Sequence, residues 1–247
     1  MLRNHFGLLP LLFVVTLAST GCSPPSKQPP LSGFPSKDPE KLLLEEKSIV
    51  EQCEAVRNGL TKRILVEKAT VSDEDLRIIA ECGGLNELLL DAGVVDDDQL
   101  ILFLPKLSLS HLRLRNSPIT DVGLRKIAET QKSLRILNLP QATLTAEGLK
   151  ALAQLEELNF LRISGATIDD RAVEVISMIP NLESLHLISP TITAASFKSI
   201  AKMTKLRSFY VDDCFIPDED WLELLGTTSN LHVHIDQAHH DRDPRKH

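Results

Sequence analysis

Aromatic residues are scarce in this chain: Phe, Trp and Tyr make up 4% of 247 residues, with one Trp and one Tyr. A core poor in rings has to be tiled with aliphatics, and Leu and Ile do that here. Excess basic charge is also missing. The formal net charge is −7, which excludes a generally basic footprint for nucleic acid, so no nucleic-acid partner is expected. No G-x-S-x-G, H-E-x-x-H, P-loop or dinucleotide fingerprint occurs, so the chain reads as non-enzymatic and no cofactor is expected. No apolar run is long enough to span a bilayer as a helix. The longest, Phe6 to Ala18, has thirteen residues, where about 20 are needed.

What is present is a period. Leu85, Leu109, Leu134, Leu158, Leu182 and Leu206 follow one another at steps of 24, 25, 24, 24 and 24 residues. Each opens a phrase of the form L-x-x-L-x-L, from Leu85-x-x-Leu88-x-Leu90 to Leu206-x-x-Phe209-x-Val211. Repetition at 20–29 residues with this spacing marks a stacked array of short strand–helix units. Ten residues after each opening leucine an aliphatic recurs (Val95, Ile119, Leu144, Ile168, Ile192, Ile216), followed by a helix-start signal such as Thr120-Asp121 or Asp169-Asp170. Oxygen side chains there can accept unpaired N–H groups of a first helical turn, and Asp96-x-x-Gln99 reads as a capping box. Apolar residues then fall three and four apart, as in Leu124/Ile127/Ala128 and Trp221/Leu224/Leu225, which places them on one helix face. Extended both ways, the frame covers 61–236. It predicts eight strands starting near 63, 87, 111, 136, 160, 184, 208 and 232, with seven intervening helices.

The stretch Leu109 to Leu124, ending Ile119-Thr120-Asp121-Val122-Gly123-Leu124, resembles the ribonuclease-inhibitor-like and cysteine-containing leucine-rich repeats. These occur in F-box partner proteins and in many bacterial secreted proteins. The resemblance implies an α/β fold: a curved solenoid with parallel strands on the concave face and helices on the convex face, working mainly by binding proteins. The usual Asn or Cys rung at the ninth position is replaced by Gly93, Ser117, Ala142, Ala166, Pro190 and Cys214. No F-box-like segment is visible, so a ubiquitin-ligase role is not implied.

The flanks carry separate messages. Residues 1–21, with Arg3 ahead of the apolar run and Ala18-Ser19-Thr20-Gly21 behind it, read as a secretory signal peptide. Ending in Gly21-Cys22, the segment resembles a bacterial lipoprotein signal, which implies lipidation of Cys22 and a bacterial cell-envelope location, on the outer membrane or the periplasmic face. Residues 22–38 hold Pro24, Pro25, Pro29, Pro30 and Pro35 and read as a Pro-rich tether. Residues 39–60 read as an N-terminal cap, a helix over 39–57 opened by Pro39, because a solenoid's first repeat exposes an unpaired apolar end. Residues 237–247 read as a disordered polar tail. Cys53 and Cys82 are expected to be neighbours, either as buried free thiols or as a pair in an oxidising compartment.

Outward positions follow from period-two alternation. They bring His111, Arg113, Arg115, Arg135, Arg162 and His186 to mid-solenoid on one face, with Phe160 and Tyr210 beside them and acidic residues on both sides. This patch is the candidate binding surface for a protein or an anionic polymer, since arginine's planar fork suits carboxylates and phosphates. The alternatives are a metal-dependent enzyme or enzyme subunit using His232, His234, His239 and His240, and a purely structural envelope lipoprotein. No metal ligand set with recognisable spacing closes around those histidines, and Asp96-Asp97-Asp98 is explained by helix capping rather than calcium. The chain is expected to be monomeric. If Cys22 is the anchor, Cys22→Ala should shift the chain into the soluble fraction or leave its leader uncleaved. Unchanged membrane partition and normal processing in fractionation and mass analysis would refute the anchor.

Overall fold

Ser48 and Glu51 set the start of the first helix. The Glu51 amide donates to Ser48 Oγ at 3.3 Å, and the Ser48 amide donates to Glu51 Oε2 at 2.8 Å, closing a capping box. In the computed structural model, which describes residues 47–228, 230–236 and 238–239, helix α1 therefore spans Ile49–Arg57. Lys47 and Ser48 are not helical, so the helix expected over 39–57 is not continuous through 47–48. The signal peptide, Cys22, the tether, the first part of the cap and residues 240–247 lie outside the described residues.

Eight parallel strands follow at the predicted starts: β1 Arg63–Val66, β2 Glu87–Leu90, β3 His111–Leu114, β4 Ile136–Leu139, β5 Phe160–Ser164, β6 Ser184–Ile188, β7 Ser208–Asp212 and β8 His232–Ile235. Between them lie α2 Asp73–Ala80, α3 Leu100–Phe103, α4 Asp121–Thr130, α5 Ala146–Leu149, α6 Asp170–Ile176, α7 Phe197–Lys202 and α8 Asp218–Thr227, several extended by a 3-10 turn. The sheet runs in sequence order, and each strand residue pairs with its copy in the next repeat: Leu88 with Leu112, Leu112 with Leu137, Leu137 with Leu161, Leu161 with Leu185, Leu185 with Phe209. All of these side chains are fully buried. Each leucine thus lies over its counterpart, and one continuous core runs from Ile49 to Val233. At the far end the buried Trp221 of α8 closes the core, its ring 4.7 Å from Phe197 and 6.2 Å from Phe209.

Both edges of the sheet are closed. At β1 the buried Gln52 of α1 accepts from the Leu65 amide at 2.8 Å and donates to the Leu65 carbonyl at 2.9 Å, pairing an edge that would otherwise be open. At β8 the chain turns through Asp236 (φ 50°) and Ala238–His239 form a short antiparallel strand, β9. The tail read as disordered from 237 therefore contributes two residues to the sheet. A single turn returns them to the unpaired edge of β8, a signal too short to show as alternation.

Helices are coupled by a recurrent hook. The Thr120 amide donates to Asp97 Oδ1 at 3.0 Å, the Thr145 amide to Asp121 Oδ1 at 2.9 Å, and the Thr193 amide to Asp170 Oδ1 at 2.8 Å. Each threonine hydroxyl donates to the other oxygen of the same carboxylate. These aspartates thus bond the next repeat, beyond the capping role the sequence suggests. The hook explains two glycines: a Cβ on Gly123 would lie 2.1 Å from Asp97 Oδ1, and one on Gly148 would lie 2.0 Å from Asp121 Oδ1. The missing Asn/Cys rung is compensated locally. Ser117 Oγ accepts from the Val95 amide at 3.1 Å and reaches the Gly93 carbonyl at 3.3 Å, and the buried Gln131 side chain bonds the Leu109 amide and the Leu104 carbonyl. Cys53 and Cys82 are neighbouring buried free thiols, with Cys82 Sγ 3.7 Å from the Cys53 carbonyl. Burial first, then Cys82, pushes the Cys53 thiol up to about 12.

Leu161→Ala should cost about 2–5 kcal/mol in urea unfolding, from lost burial plus the cavity left behind. Gly148→Ala should cost about 1–3 kcal/mol through the forced clash, and less in an Asp121→Ala background. Equal costs in both backgrounds would show that the Asp121 carboxylate is not what the new methyl meets.

Candidate functional site on the open face of the sheet

With leucines turned inward, the middle residue of each strand faces outward. Strand pairing lines these up as Leu65, Leu89, Arg113, Asn138, Arg162, His186, Tyr210 and His234. The face begins apolar, where Leu65 and Leu89 make a small cluster of their own. It is basic and polar in the middle and aromatic at the end. There Tyr210 stacks on His234 at 4.3 Å and lies 5.4 Å from His186. Phe160 stands one row nearer the strand starts, beside Ile136 and Ser184.

The expected clustering of His111, Arg113, Arg115, Arg162 and His186 is present, with Phe160 and Tyr210 alongside. The acids that seemed only to border the patch in fact penetrate it. Arg63 Nε lies 2.7 Å from Glu87 Oε2, and His111 Nδ1 lies 3.8 Å from the same oxygen. Arg113 donates through Nη2 to Asp91 Oδ2 at 2.8 Å. Its Nε is 2.7 Å from Asp91 Oδ1 but poorly aligned for a hydrogen bond, so that contact is ionic. Arg115 Nε is 3.8 Å from Asp91 Oδ1. His186 Nε2 meets the buried Asp212 Oδ2 at 2.8 Å. Burial holds the His186 pKa below the usual imidazole value against the opposing Asp212 hydrogen bond, with Arg162 adding to the depression. Burial likewise lowers His111, although Glu87 pulls it up.

Arg162 is different. It makes no ion pair among the described residues, and its Nε is buried without a hydrogen-bond partner. Burial, then Arg115, push its guanidinium below the usual arginine value; Asp212 opposes this, and Arg113 adds a smaller push in the same direction. On the neighbouring strand the buried Asn138 likewise has an unpartnered Oδ1. Arg162 and Arg115 line a shallow groove of about 600 Å³ with Asn116, Pro140, Gln141 and Ile188, bounded by Glu67, Lys68 and Asp91. Asn116 takes a left-handed turn there (φ 54°), and its backbone N–H donates to Gln141 Oε1 at 2.9 Å. The strand frame could have flagged Asn116 and Gln141, since they occupy the same repeat position just past the strands.

Arg135 does not join the patch. It is exposed one residue before β4 and lines a separate cleft of about 410 Å³ with Glu157, Glu183 and Arg207. Strand alternation does not extend to a residue outside the strand. His232 and His234 share a face, with ring centroids 4.6 Å apart, and among the described residues no group of three metal-ligating side chains assembles.

Residues 106–128 and 130–153 match the family described as Leucine Rich repeat. Those two segments are leucine-rich repeats, and the in-register sheet carries the same repeat fold from β1 to β8. Among solved structures it is similar to an internalin from Listeria monocytogenes, at 19% identity and TM-score 0.45, covering 72% of this chain and 54% of that one. It is also similar to an LRR protein of Leptospira interrogans, at 15% identity and TM-score 0.48, covering 73% of this chain and 50% of that one. This chain thus spans about half the length of each. No curated protein matches it.

Because His111 and His186 are depressed in the folded state, the unfolded chain binds more protons below the ordinary imidazole value of 6.5. Stability therefore rises with pH through the window between the depressed values and 6.5, and falls on acidification. Urea midpoints should drop between about pH 7.5 and about pH 5.5, and His186→Gln should flatten that slope. An unchanged slope would show that the His186 imidazole is not held neutral by burial.

Proposed function

We propose that this chain is a membrane-tethered interaction module that captures a protein on the open face of its sheet. Leucine-rich-repeat solenoids are, as a class, protein-interaction scaffolds, because stacked repeats display an extended surface whose outward residues are free of core duty. The observation that carries the reading is the run Arg113, Asn138, Arg162, His186, Tyr210 on five consecutive strands. Charge, amide and ring groups replace the leucines that begin the same row. Stability does not ask for this: cations gathered on one face repel, and the buried Asp212 and Asn138 cost desolvation. Arginine and tyrosine are the residue types that anchor protein interfaces.

The tether belongs to the same proposal. It rests on the apolar run before Gly21-Cys22 and on the prolines that follow, which would hold the solenoid off a cell-envelope membrane and leave its face free to search. No helix among the described residues is long and apolar enough to cross a membrane, so attachment would fall to the lipid on Cys22.

Capture from an envelope extract tests the proposal. Phe160→Ala with Tyr210→Ala should weaken retention of the partner by about tenfold, the scale of losing an interface anchor. Val122→Asp, exposed on α4, should leave it unchanged. Added salt should weaken capture too, since exposed charges are screened beyond about 8–10 Å at physiological ionic strength. Retention lost with the α4 variant and kept with the sheet variants would place the docking surface on the helices.

A further inference from the structure

The arginines of the open face differ in how their charge is met. Arg63 holds Glu87, and Arg113 and Arg115 share Asp91. Arg162 has no ion-paired carboxylate among the described residues; Asp212, which acts on it through space, is held by His186 at 2.8 Å. The fold thus keeps a partly buried guanidinium next to two other arginines, with its Nε unpartnered and Asn138 Oδ1 unpartnered beside it. An uncompensated cation in that position costs desolvation and repulsion, and either an acid on this chain or one from outside would relieve it. Among the described residues Asp212 offsets it only through space, and no acid pairs with it directly. The groove that opens over Arg162 and Arg115 has room for a side chain, at about 600 Å³.

We infer that the groove over Arg162 is a carboxylate-binding subsite that receives an Asp or Glu side chain from an acidic segment of the captured protein. The inference rests on the reading of the open face as the docking surface. A carboxylate fits better than a phosphate because of what surrounds it. Asp91 and Glu67 bound the same groove alongside Arg162, Arg115 and Lys68, so the mixed charge of the rim favours a monoanion over a dianion. With Nε shielded, the carboxylate approaches the two terminal nitrogens end-on, a two-bond geometry that lysine cannot reproduce. Pro140 and Ile188 supply apolar lining beside the pair.

The test uses the purified full chain and a short labelled oligo-glutamate, with binding read by fluorescence anisotropy at low salt. The native chain should bind. Arg162→Gln should weaken binding by about tenfold or more, as expected for losing a charge-assisted pair. Arg162→Lys, which keeps the charge without the fork, should fall in between. Arg207→Gln, in the separate cleft at the strand entry, should change little. Urea midpoints measured alongside should show every variant folded. The subsite is overturned if the native chain does not bind the peptide, if Arg162→Gln and Arg207→Gln lose affinity equally, or if inorganic phosphate displaces the peptide at lower concentration than acetate does. Any of these, with partner capture still sensitive to Phe160 and Tyr210, removes the subsite and leaves the open-face reading standing. Peptide binding that depends on Arg162, with capture insensitive to those rings, confirms the subsite and removes that reading.

Discussion

Stacking in register is the constraint on which the rest depends. Each strand residue faces its copy 24 or 25 positions on, so the core is a set of columns in which every aliphatic lies over another. A single repeat cannot bury its own leucines, and each buried one contributes roughly 1.5–3 kcal/mol only when a neighbour covers it. Stability is therefore passed from repeat to repeat, and the ends need special treatment. Gln52 satisfies the first strand through one side-chain amide, α1 covers the first aliphatics, and β9 with Trp221 closes the last.

The same constraint separates two kinds of residue. Inward positions must be aliphatic and of matched size. Asp97, Asp121 and Asp170, with Gly123 and Gly148, must keep the helices at a fixed distance. Outward positions carry no such duty. Arg162 and Asn138 can therefore be held without partners, and a column that begins with Leu65 and Leu89 can change to arginine, histidine and tyrosine without disturbing the stack. The network on that face is finely divided: Asp91 serves Arg113 and Arg115, Asp212 serves His186, and Arg162 is left to its groove.

Much of this is legible in the sequence because the strongest signal is also the one that builds the fold. The leucine spacing places all eight parallel strand starts and the inward columns, and the outward row follows from alternation. Features of a few residues are not legible this way. The start of α1 at Ile49 is set by the Ser48–Glu51 box, a four-residue signal inside a longer apolar pattern. The two-residue β9 has too little pattern to read. Arg135 looks like part of the patch by proximity in sequence, but it precedes its strand and lies in another cleft. Which acid meets which arginine is decided by side-chain geometry across repeats, so the frame brings Glu87 and Asp91 near the basic centre without showing that they enter it.

Hydrogen exchange on the chain with and without its captured protein tests the central claim, that the open face of the sheet is the docking surface, most directly. The account predicts slowed exchange in β3 to β7 and in the turns just beyond them, around residues 115–117 and 140–142, with the helices α4 to α7 unchanged. Protection concentrated in those helices, with the strands and turns unaffected, would contradict it.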